Sequence, residues 1–321
     1  MGNVYKNDFW SILRADEVSD FMDLLSLAEK ILKRKTADID VLKGGLTNKS
    51  FKVTFEDGLE IVMRLAGRGT GEFINRSAEK YNSQMAYGMG IAPEVYYFDA
   101  DTGSQLVEFV KMPTMHLEDY QKDVDVLQKS AKLLSVLHNS SIKFRGRFDA
   151  IAGTKEYMDI LKNKNYTDSY EGWADTYKMV ERIGRIYAKN PSPLAPCHND
   201  VLAENFMYDR KTMYLIDWEY GGVGDPYYDA SGPLTEDVLD EKMTEVYLKA
   251  YFNGDPTPEQ RARIFIGRFL YCTYWCAWSL VQIANGKEHD LYWQYGLDRA
   301  NLGKEYMSDP EFEKYLKILG G

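Results

Sequence analysis

The chain has 321 residues, of which 45% are hydrophobic and 27% charged, a balance typical of a globular protein with a sizeable core. Its net charge of −10 argues against non-specific nucleic-acid binding through a basic surface, whereas an acidic protein can attract a cationic substrate. No run of about 18 apolar residues and no secretory signal is visible, so we expect a cytoplasmic protein without membrane insertion. These features leave the oligomeric state open.

The chain begins with a predicted helix followed by three predicted strands. Within residues 5–34 apolar side chains recur at three- and four-residue steps, which indicates a helix. The strands that follow are separated by a glycine-containing turn at Gly44–Gly45 and by a hairpin turn at Asp57–Gly58. A second helix is predicted from Phe73 to Gly88, and two more strands, joined by a turn at 101–103, come after it.

The rest of the chain is predicted to be mainly helical, apart from a short strand-turn-strand segment between Asn205 and Asp217. The sequence therefore predicts an α+β arrangement with a hinge near 108–114. The expected domains are residues 1–110, with a helical extension 1–35 and a β lobe 36–110, and residues 111–321.

The segment PCHNDVLAENF carries the motif H-x-D-x4-N, formed by His198, Asp200 and Asn205, and Asp217 follows twelve residues later. Phosphoryl transfer needs a carboxylate that accepts the proton of the attacking hydroxyl, and oxygen ligands that hold magnesium on the phosphates. Asp200 suits the first task, Asn205 and Asp217 suit the second, and Glu219 is a candidate ligand of a second metal ion. The alternative is an ordinary turn in which Asp and Asn cap helices.

The segments HNDVLAEN and IDWEYGGVGDPYYD resemble the choline/ethanolamine kinases, which are relatives of the aminoglycoside phosphotransferases in the protein-kinase-like superfamily. The resemblance extends from about Gly44 to Asn301. It implies a bilobal protein-kinase-like fold, with a small five-stranded antiparallel β lobe containing one helix and a larger, mainly helical lobe. It also implies ATP and Mg²⁺ as cofactors and a small amino alcohol as substrate.

The resemblance extends to the nucleotide-binding residues. GGLTNKSFKV resembles the hairpin that covers the nucleotide phosphates, and Arg64 occupies the strand position whose basic side chain reaches them. Glu79 occupies the helix position that pairs with this arginine; the alternative is a surface ion pair. The residues implied in nucleotide binding are Gly44, Gly45, Thr47, Asn48, Arg64, Glu79, Glu108 and Val110. Asp229 resembles an acidic residue that braces the catalytic loop.

An aromatic stripe in TYWCAWSLVQ gives the substrate hypothesis. Trp275 and Trp278 are three residues apart and therefore share a helix face, which by itself is more typical of a core than of a binding site. Ring faces also attract a quaternary ammonium, which has no hydrogen-bond donors. The tryptophan pair and Tyr295 match the aromatic residues that line the choline site in choline kinases. The implied reaction converts choline and ATP to phosphocholine and ADP, with the choline hydroxyl facing Asp200.

Three alternatives remain open at this point. Ethanolamine kinase uses the same machinery with a different head group, and aminoglycoside phosphotransferases bind polycationic sugars through carboxylates. A protein of another class, a catalytically silent nucleotide-binding pseudokinase, would commonly have lost one of Asp200, Asn205 and Asp217, all of which are present here.

Overall fold

The chain divides into two structural units, and the boundary between them differs from the expected one. Unit 1 comprises Met1–Pro113 and Tyr214–Tyr220, and unit 2 comprises Thr114–Met213 and Gly221–Gly321. The short segment Tyr214–Tyr220, which we expected in the second domain, thus groups with the first. The computed structural model describes residues 13–42, 48–67, 74–236 and 239–321.

Within its described residues, unit 1 contains a five-stranded antiparallel sheet with strand order β1-β2-β3-β5-β4. Its elements are α1 (Glu17–Leu32), β1 (Thr36–Leu42), β2 (Lys49–Phe55), β3 (Glu60–Leu65), α2 (Arg76–Gly88), β4 (Val95–Phe98) and β5 (Gln105–Glu108). The predicted sequence of three strands, one helix and two strands is therefore confirmed.

Helix α1 packs its apolar side against this sheet. Phe21 is fully buried, and its ring meets that of Phe51 in β2 edge to face at 4.9 Å. Glu17 in the first turn of α1 holds the helix to the sheet because it accepts from both Arg14 and Lys49. The helix begins at Glu17, later than the predicted start at residue 5, and residues 5–12 lie outside the described residues.

Two of the predicted turns rest on glycines with positive φ. Gly58 in the β2–β3 turn has φ 87° and donates its N–H to the Phe55 carbonyl at 2.9 Å. Gly103 in the β4–β5 turn has φ 85° and donates to the Asp99 carbonyl at 2.8 Å. Other residues rarely adopt this conformation. The predicted turn at Gly44–Gly45 lies outside the described residues.

Unit 2 is mainly helical, as predicted. Its elements are α3 (Leu117–Lys122), α4 (Val124–His138), α5 (Ala150–Asn163), α6 (Trp173–Tyr187), β6 (Ala195–Cys197), β7 (Phe206–Tyr208), β8 (Met213–Leu215, which continues into unit 1), β9 (Gly222–Gly224), α7 (Pro226–Glu236), α8 (Glu241–Phe252), α9 (Pro258–Ala284), α10 (His289–Ser308) and α11 (Pro310–Ile318). The strands β7 and β8 confirm the predicted strand-turn-strand segment. The antiparallel pair β6–β9 was not predicted.

Helix α9 is the central helix of unit 2, and it packs against α5, α7, α10 and α11. It begins with a capping box between Thr257 and Gln260 and with Pro258 in its first turn, a strong start signal. By length and composition alone it is apolar enough to cross a membrane, because an 18-residue stretch of it has a mean hydropathy of 1.2. However, 89% of this stretch is buried inside the protein. A core helix of a soluble protein passes the same test, so this is weak evidence for a membrane span.

Candidate active site

The predicted catalytic loop connects β6 to β7 and ends in a 3₁₀ turn at Ala203–Asn205. The Asn205 amide nitrogen donates to the Asp200 carbonyl at 2.8 Å and lies 3.5 Å from its carboxylate Oδ2. Because the amide nitrogen makes both contacts, the amide oxygen is the atom that can serve as a cation ligand. His198 is fully buried, and its Nδ1 accepts the Asp200 N–H at 3.3 Å, so it supports the loop from within.

Asp229 in α7 braces this loop, as the resemblance implied. Its fully buried carboxylate accepts the backbone N–H groups of His198 at 2.8 Å and Asn199 at 2.5 Å. The same carboxylate contacts His138 Nε2 at 2.8 Å, and His138 Nδ1 contacts the Tyr251 hydroxyl at 2.7 Å. Asn199 has φ 70°, a conformation that asparagine tolerates better than most residues. A buried hydrogen-bond network thus holds the backbone directly before Asp200.

His138, Cys197 and Asp229 bring three potential ligand atoms within 4.8 Å of one another. Burial, followed by the charges of Asp229 and Asp225, raises the pKa of the Cys197 thiol well above its ordinary value. A neutral thiol is a poor metal ligand, and His138 already contacts Asp229. We therefore assign this cluster to support of the catalytic loop.

In unit 1 the predicted pair of Arg64 and Glu79 is present and buried. Arg64 in β3 donates through Nη2 to Glu79 in α2, and through Nη1 to Asp217 at 2.5 Å. The Gln105 amide, with its oxygen turned toward the guanidinium, accepts from Arg64 Nε at 2.7 Å. Burial opposes the charge of Arg64, but Glu79, Asp217 and Glu219 raise its pKa above the ordinary value. This is a buried, charge-assisted network, so the alternative of a surface ion pair is wrong.

The sequence predicts a strand that runs up to Asp217, whereas β8 ends before this residue and Glu219 lies in a turn. Strand β8 ends at Leu215, and Trp218–Tyr220 is a 3₁₀ turn in which the Trp218 indole N–H donates to the Leu215 carbonyl at 2.9 Å. Asp217 itself has φ 63°, an uncommon conformation for a residue other than glycine. Non-glycine residues in this region often mark functional sites.

Glu219 is buried, and its Oε2 receives Asn48 Nδ2 at 3.3 Å and Arg76 Nη1 at 3.4 Å. Burial and the neighbouring charge of Asp217 raise the pKa of Glu219 to about 7, although Arg64 and Arg76 act in the opposite direction. Three carboxylates, those of Glu79, Asp217 and Glu219, thus meet two guanidiniums at this point of unit 1.

The predicted nucleotide-binding residues of the β1–β2 connection are only partly described. Gly44, Gly45 and Thr47 lie outside the described residues. Asn48 is described, and its Oδ1 accepts the Gly67 N–H at 3.1 Å. Its side chain therefore links the start of β2 to the end of β3 and, through Glu219, to the turn after Asp217.

Glu108 ends β5 in unit 1, and Val110 follows it as a partly exposed residue. The Glu108 N–H donates to the Glu94 carbonyl at 2.8 Å, and its carboxylate accepts the Glu94 N–H at 3.3 Å. The backbone at the end of this edge is thus held in a defined conformation.

In unit 2 the three aromatic residues that were predicted to bind the amino alcohol come together. Trp275 and Trp278 lie on α9, are 3% and 6% exposed, and have ring centroids 5.6 Å apart at 77°. Tyr295 on α10 adds a third ring 5.6 Å from Trp278. Burial, then Glu236 and Asp200, raises the pKa of Tyr271, so Asp200 is near enough for its charge to act on this aromatic cluster.

The sequence interpretation missed a partly buried ion pair beside the aromatic cluster. Glu236 at the end of α7 accepts from Arg299 Nη2, and the Arg299 guanidinium lies 3.3 Å from the ring centre of Tyr295. Burial raises the pKa of Glu236, and the charge of Arg299 partly opposes this shift. These two residues are 63 positions apart, and no local pattern links them.

Arg76 is a further residue that the sequence interpretation missed. It lies three residues before Glu79 on α2, a spacing at which helical side chains meet, so the pair was visible in principle.

A cavity of about 720 Å³ lies in unit 2, and its lining includes Phe148, Tyr187, Asp225 and Leu270. None of the predicted site residues lines this cavity. This cavity is therefore not part of the predicted site.

These features define the class of the protein. A five-stranded antiparallel sheet, a helix carboxylate on a strand arginine and a mainly helical unit with an Asp–Asn loop belong to the protein-kinase-like fold of phosphotransferases. A family model described as choline/ethanolamine kinase matches residues 39–274. The chain therefore belongs to the choline/ethanolamine kinase family.

Individual relatives agree with this assignment. Protein LicA of Haemophilus influenzae is 28% identical over 267 residues, covering 80% of this chain and 77% of its own. Ethanolamine kinase 2 of Mus musculus is 23% identical over 267 residues, covering 75% and 68%. The crystal structure of a choline/ethanolamine kinase family protein from Mesorhizobium loti superposes with a TM-score of 0.82 at 28% identity, covering 94% of this chain and 98% of that one.

Proposed function

We propose that this kinase transfers the γ-phosphoryl group of ATP to the hydroxyl of choline, giving phosphocholine and ADP. The observation that carries this proposal is the cluster of Trp275, Trp278 and Tyr295 in the same unit as Asp200, whose charge acts on Tyr271 and Tyr295. Ring faces attract a quaternary ammonium. In the proposed pose the choline head group lies among these rings and its hydroxyl faces Asp200.

In this mechanism Asp200 accepts the proton of the choline hydroxyl as the oxygen attacks phosphorus. Asn205 donates a hydrogen bond to the Asp200 carbonyl, and the Asp200 N–H donates one to His198 Nδ1. Both support this role, because they restrict where the aspartate can lie. Asp229 holds the preceding backbone, so the proton acceptor is positioned before the substrate arrives.

On the nucleotide side, Arg64 is the proposed phosphate ligand, and Glu79 keeps it oriented. Asn48, Gly44, Gly45 and Thr47 stay proposed nucleotide contacts, as do Glu108 and Val110 for the adenine. A guanidinium can bind a carboxylate and a phosphate at the same time through its separate N–H groups. Arg64 is well suited to this, because Glu79 occupies only its Nη2, while its Nη1 contacts Asp217.

The residues of unit 1 fit a divalent cation. Burial first, and then the charge of Asp217, raise the pKa of Glu219, and an added cation would favour the charged form of this carboxylate. We propose Asp217 as a magnesium ligand, with Glu219 as a further one, because magnesium prefers oxygen donors. The amide oxygen of Asn205, which belongs to unit 2, stays a proposed ligand on the basis of the sequence motif. Bound magnesium would neutralise charge on the phosphates during transfer.

The choice of choline over ethanolamine rests on hydrogen-bond donors. A primary ammonium has three donors, and each one left without a partner among aromatic rings costs about 1–3 kcal/mol, whereas a trimethylammonium has none. The carboxylate of Glu236 is already paired with Arg299. The buried Tyr271 hydroxyl has no hydrogen-bond partner among the described residues, so its oxygen is available to accept from one of the three ammonium donors. Two of the three donors would then lack a partner, at a cost of at least about 2 kcal/mol, so we expect a preference for choline of at least about 30-fold in kcat/KM.

The test is a coupled assay of ADP release with magnesium, ATP and a panel of choline, N,N-dimethylethanolamine, ethanolamine and an aminoglycoside. The activity should rise with each N-methyl group. Equal kcat/KM values for ethanolamine and choline would overturn the choline assignment, and nucleotide binding without ADP release for any acceptor would indicate a silent pseudokinase.

The Trp278→Ala variant tests the aromatic cluster directly. The KM for choline should rise about tenfold and the preference over ethanolamine should narrow, because a ring face contributes about 0.5–2 kcal/mol to cation binding. Trp173→Ala is the matched control, because Trp173 on α6 is equally buried at 5% exposure and donates to Met158 Sδ rather than contacting the cluster. If both variants leave the choline KM of the folded protein unchanged, Trp278 is only a core residue.

A further inference from the structure

Arg76 is a buried cation in a position that does not favour a cation. It is the first residue of α2, and it is only 5% exposed. The positive end of the helix dipole lies at this terminus and disfavours a guanidinium there, and burial adds to the cost. A cation is stable in such a place only if nearby carboxylates compensate it.

Two carboxylates compensate Arg76. Its Nη1 donates to Glu79 Oε2 at 2.5 Å and lies 3.4 Å from Glu219 Oε2. The other oxygen of Glu79 receives Arg64, so the carboxylate of Glu79 bridges two guanidiniums. Arg76 therefore joins the partner of Arg64 to the turn that carries Asp217.

Gly103, which is distant from Arg76 in the sequence, lies directly against its side chain. Gly103 lies so close that a Cβ at this position would be 2.7 Å from both Cδ and Cζ of Arg76. Gly103 also has φ 85°, so glycine is required both for the turn and for the guanidinium beneath it. The β4–β5 turn closes over the arginine.

The charges indicate what Arg76 does. Glu79, Asp217 and Glu219 face two guanidiniums, and Arg64 contacts both Glu79 and Asp217. If Arg64 turns part of its donor set to a nucleotide phosphate, Asp217 loses that contact, while Arg76 still holds Glu79 and faces Glu219. The guanidinium of Arg76 thus keeps that of Arg64 aligned when the partners of Arg64 change.

We propose that Arg76 is a positioning residue for nucleotide binding: it fixes Glu79, and through it Arg64, and it balances the charge of Glu219. This inference rests on the proposed phosphate role of Arg64 and goes beyond it, since Arg76 itself touches no substrate in this scheme. It concerns the nucleotide and predicts no effect on the amino alcohol.

The test is calorimetric titration of the full-length protein with a non-hydrolysable ATP analogue, with and without magnesium. Arg76→Met keeps the length of the apolar stem and removes the charge, and it should raise the Kd for the analogue about tenfold in both conditions. Arg76→Lys keeps the charge and should hold affinity within about threefold of the wild type, because a single nitrogen, Nη1, makes both carboxylate contacts of Arg76. The KM for the amino alcohol should change less than about twofold in both.

Two glycine variants provide a matched comparison that leaves Arg76 unchanged. Gly103→Ala and Gly58→Ala impose a similar φ strain, at 85° and 87°, in two turns of the same sheet. A Cβ at Gly58 meets nothing within 4 Å, whereas one at Gly103 displaces Arg76. Gly103→Ala should therefore weaken analogue binding several-fold more than Gly58→Ala.

The proposal is overturned if Arg76→Met changes the Kd less than twofold, if the two glycine variants weaken binding equally, or if the KM for the amino alcohol rises as much as the Kd. Because the titration needs no acceptor, the outcome is independent of the substrate proposal. A wild type that binds the analogue but phosphorylates no amino alcohol would refute the substrate and leave the Arg76 comparison intact.

Discussion

Replacing Asp229 by asparagine tests whether the buried brace positions the catalytic loop. The substitution keeps the shape of the side chain, removes its charge and turns one acceptor oxygen into a donor. The carboxylate now serves three groups: the N–H groups of His198 and Asn199, and Nε2 of His138. If the amide oxygen of an asparagine at 229 accepts from the His198 N–H and from His138 Nε2, its NH₂ group faces the Asn199 N–H. Two donors then face each other, and the Asn199 N–H has no acceptor.

The expected loss follows from this count. A buried donor left without an acceptor costs about 1–3 kcal/mol, and the two remaining hydrogen bonds lose their charge assistance, which adds about 1 kcal/mol. The free energy of unfolding should therefore fall by about 2–4 kcal/mol. Asp200 directly follows Asn199, and a displacement of about 1 Å at a reacting group can lower the rate about 100-fold. We expect kcat to fall at least tenfold.

The assay is urea denaturation followed by circular dichroism, together with steady-state kinetics at saturating substrates. Asp149→Asn is the control, because it removes the same charge from the N-cap of α5, where asparagine caps about as well as aspartate. The reasoning is refuted if Asp229→Asn and Asp149→Asn differ by less than about 1 kcal/mol, or if kcat of the folded Asp229 variant stays within threefold of the wild type.

Two further predictions concern the proton acceptor and the anchor of α1. Asp200→Asn should lower kcat at least about 100-fold while nucleotide affinity, measured by calorimetry, stays within about threefold; a variant that keeps a tenth of the wild-type rate would exclude Asp200 as the base. Burial raises the pKa of Glu17, but hydrogen bonds from Lys49 and Arg14 outweigh it and lower the pKa to about 2. This depressed pKa stabilises the fold above about pH 4.5, and the contribution is lost as the pH falls toward 2. Glu17→Gln should thus destabilise the protein by about 2–3 kcal/mol at pH 7 and hardly at all near pH 2, as measured by thermal melting across this range; a loss that does not depend on pH would contradict the linkage.

The fold of unit 1 was predictable because its signals are local. Alternating apolar residues mark the strands, and Asp57–Gly58 and Gly103 supply turns whose positive φ only a few residues tolerate. The three-residue strands β6 and β9 carry no such signal, since a periodic pattern cannot develop over so few positions. Their pairing depends on contacts between distant parts of the chain.

The candidate site shows a similar division. The resemblance located Arg64, Glu79 and the aromatic residues of α9, and the structure brings each set together within its own unit. The turn at Asp217 was misjudged as extended because a left-handed residue after a strand leaves no trace in periodicity. The spacing of Arg76 and Glu79 is visible in the sequence, but an arginine at a helix start is typically solvated, so its burial could not be predicted.

Tyr214–Tyr220, the segment of unit 1 that is separate in the sequence, has a consequence for protein synthesis. These residues leave the ribosome about a hundred positions after Pro113. At about 5–20 residues per second, this is a delay of about 5–20 s. During that interval Arg64 and Arg76 have only Glu79 of their three carboxylates, because Asp217 and Glu219 have not yet been made. The amino-terminal unit is thus completed late in translation, and a fragment that stops at Pro113 would bury two guanidiniums against one carboxylate.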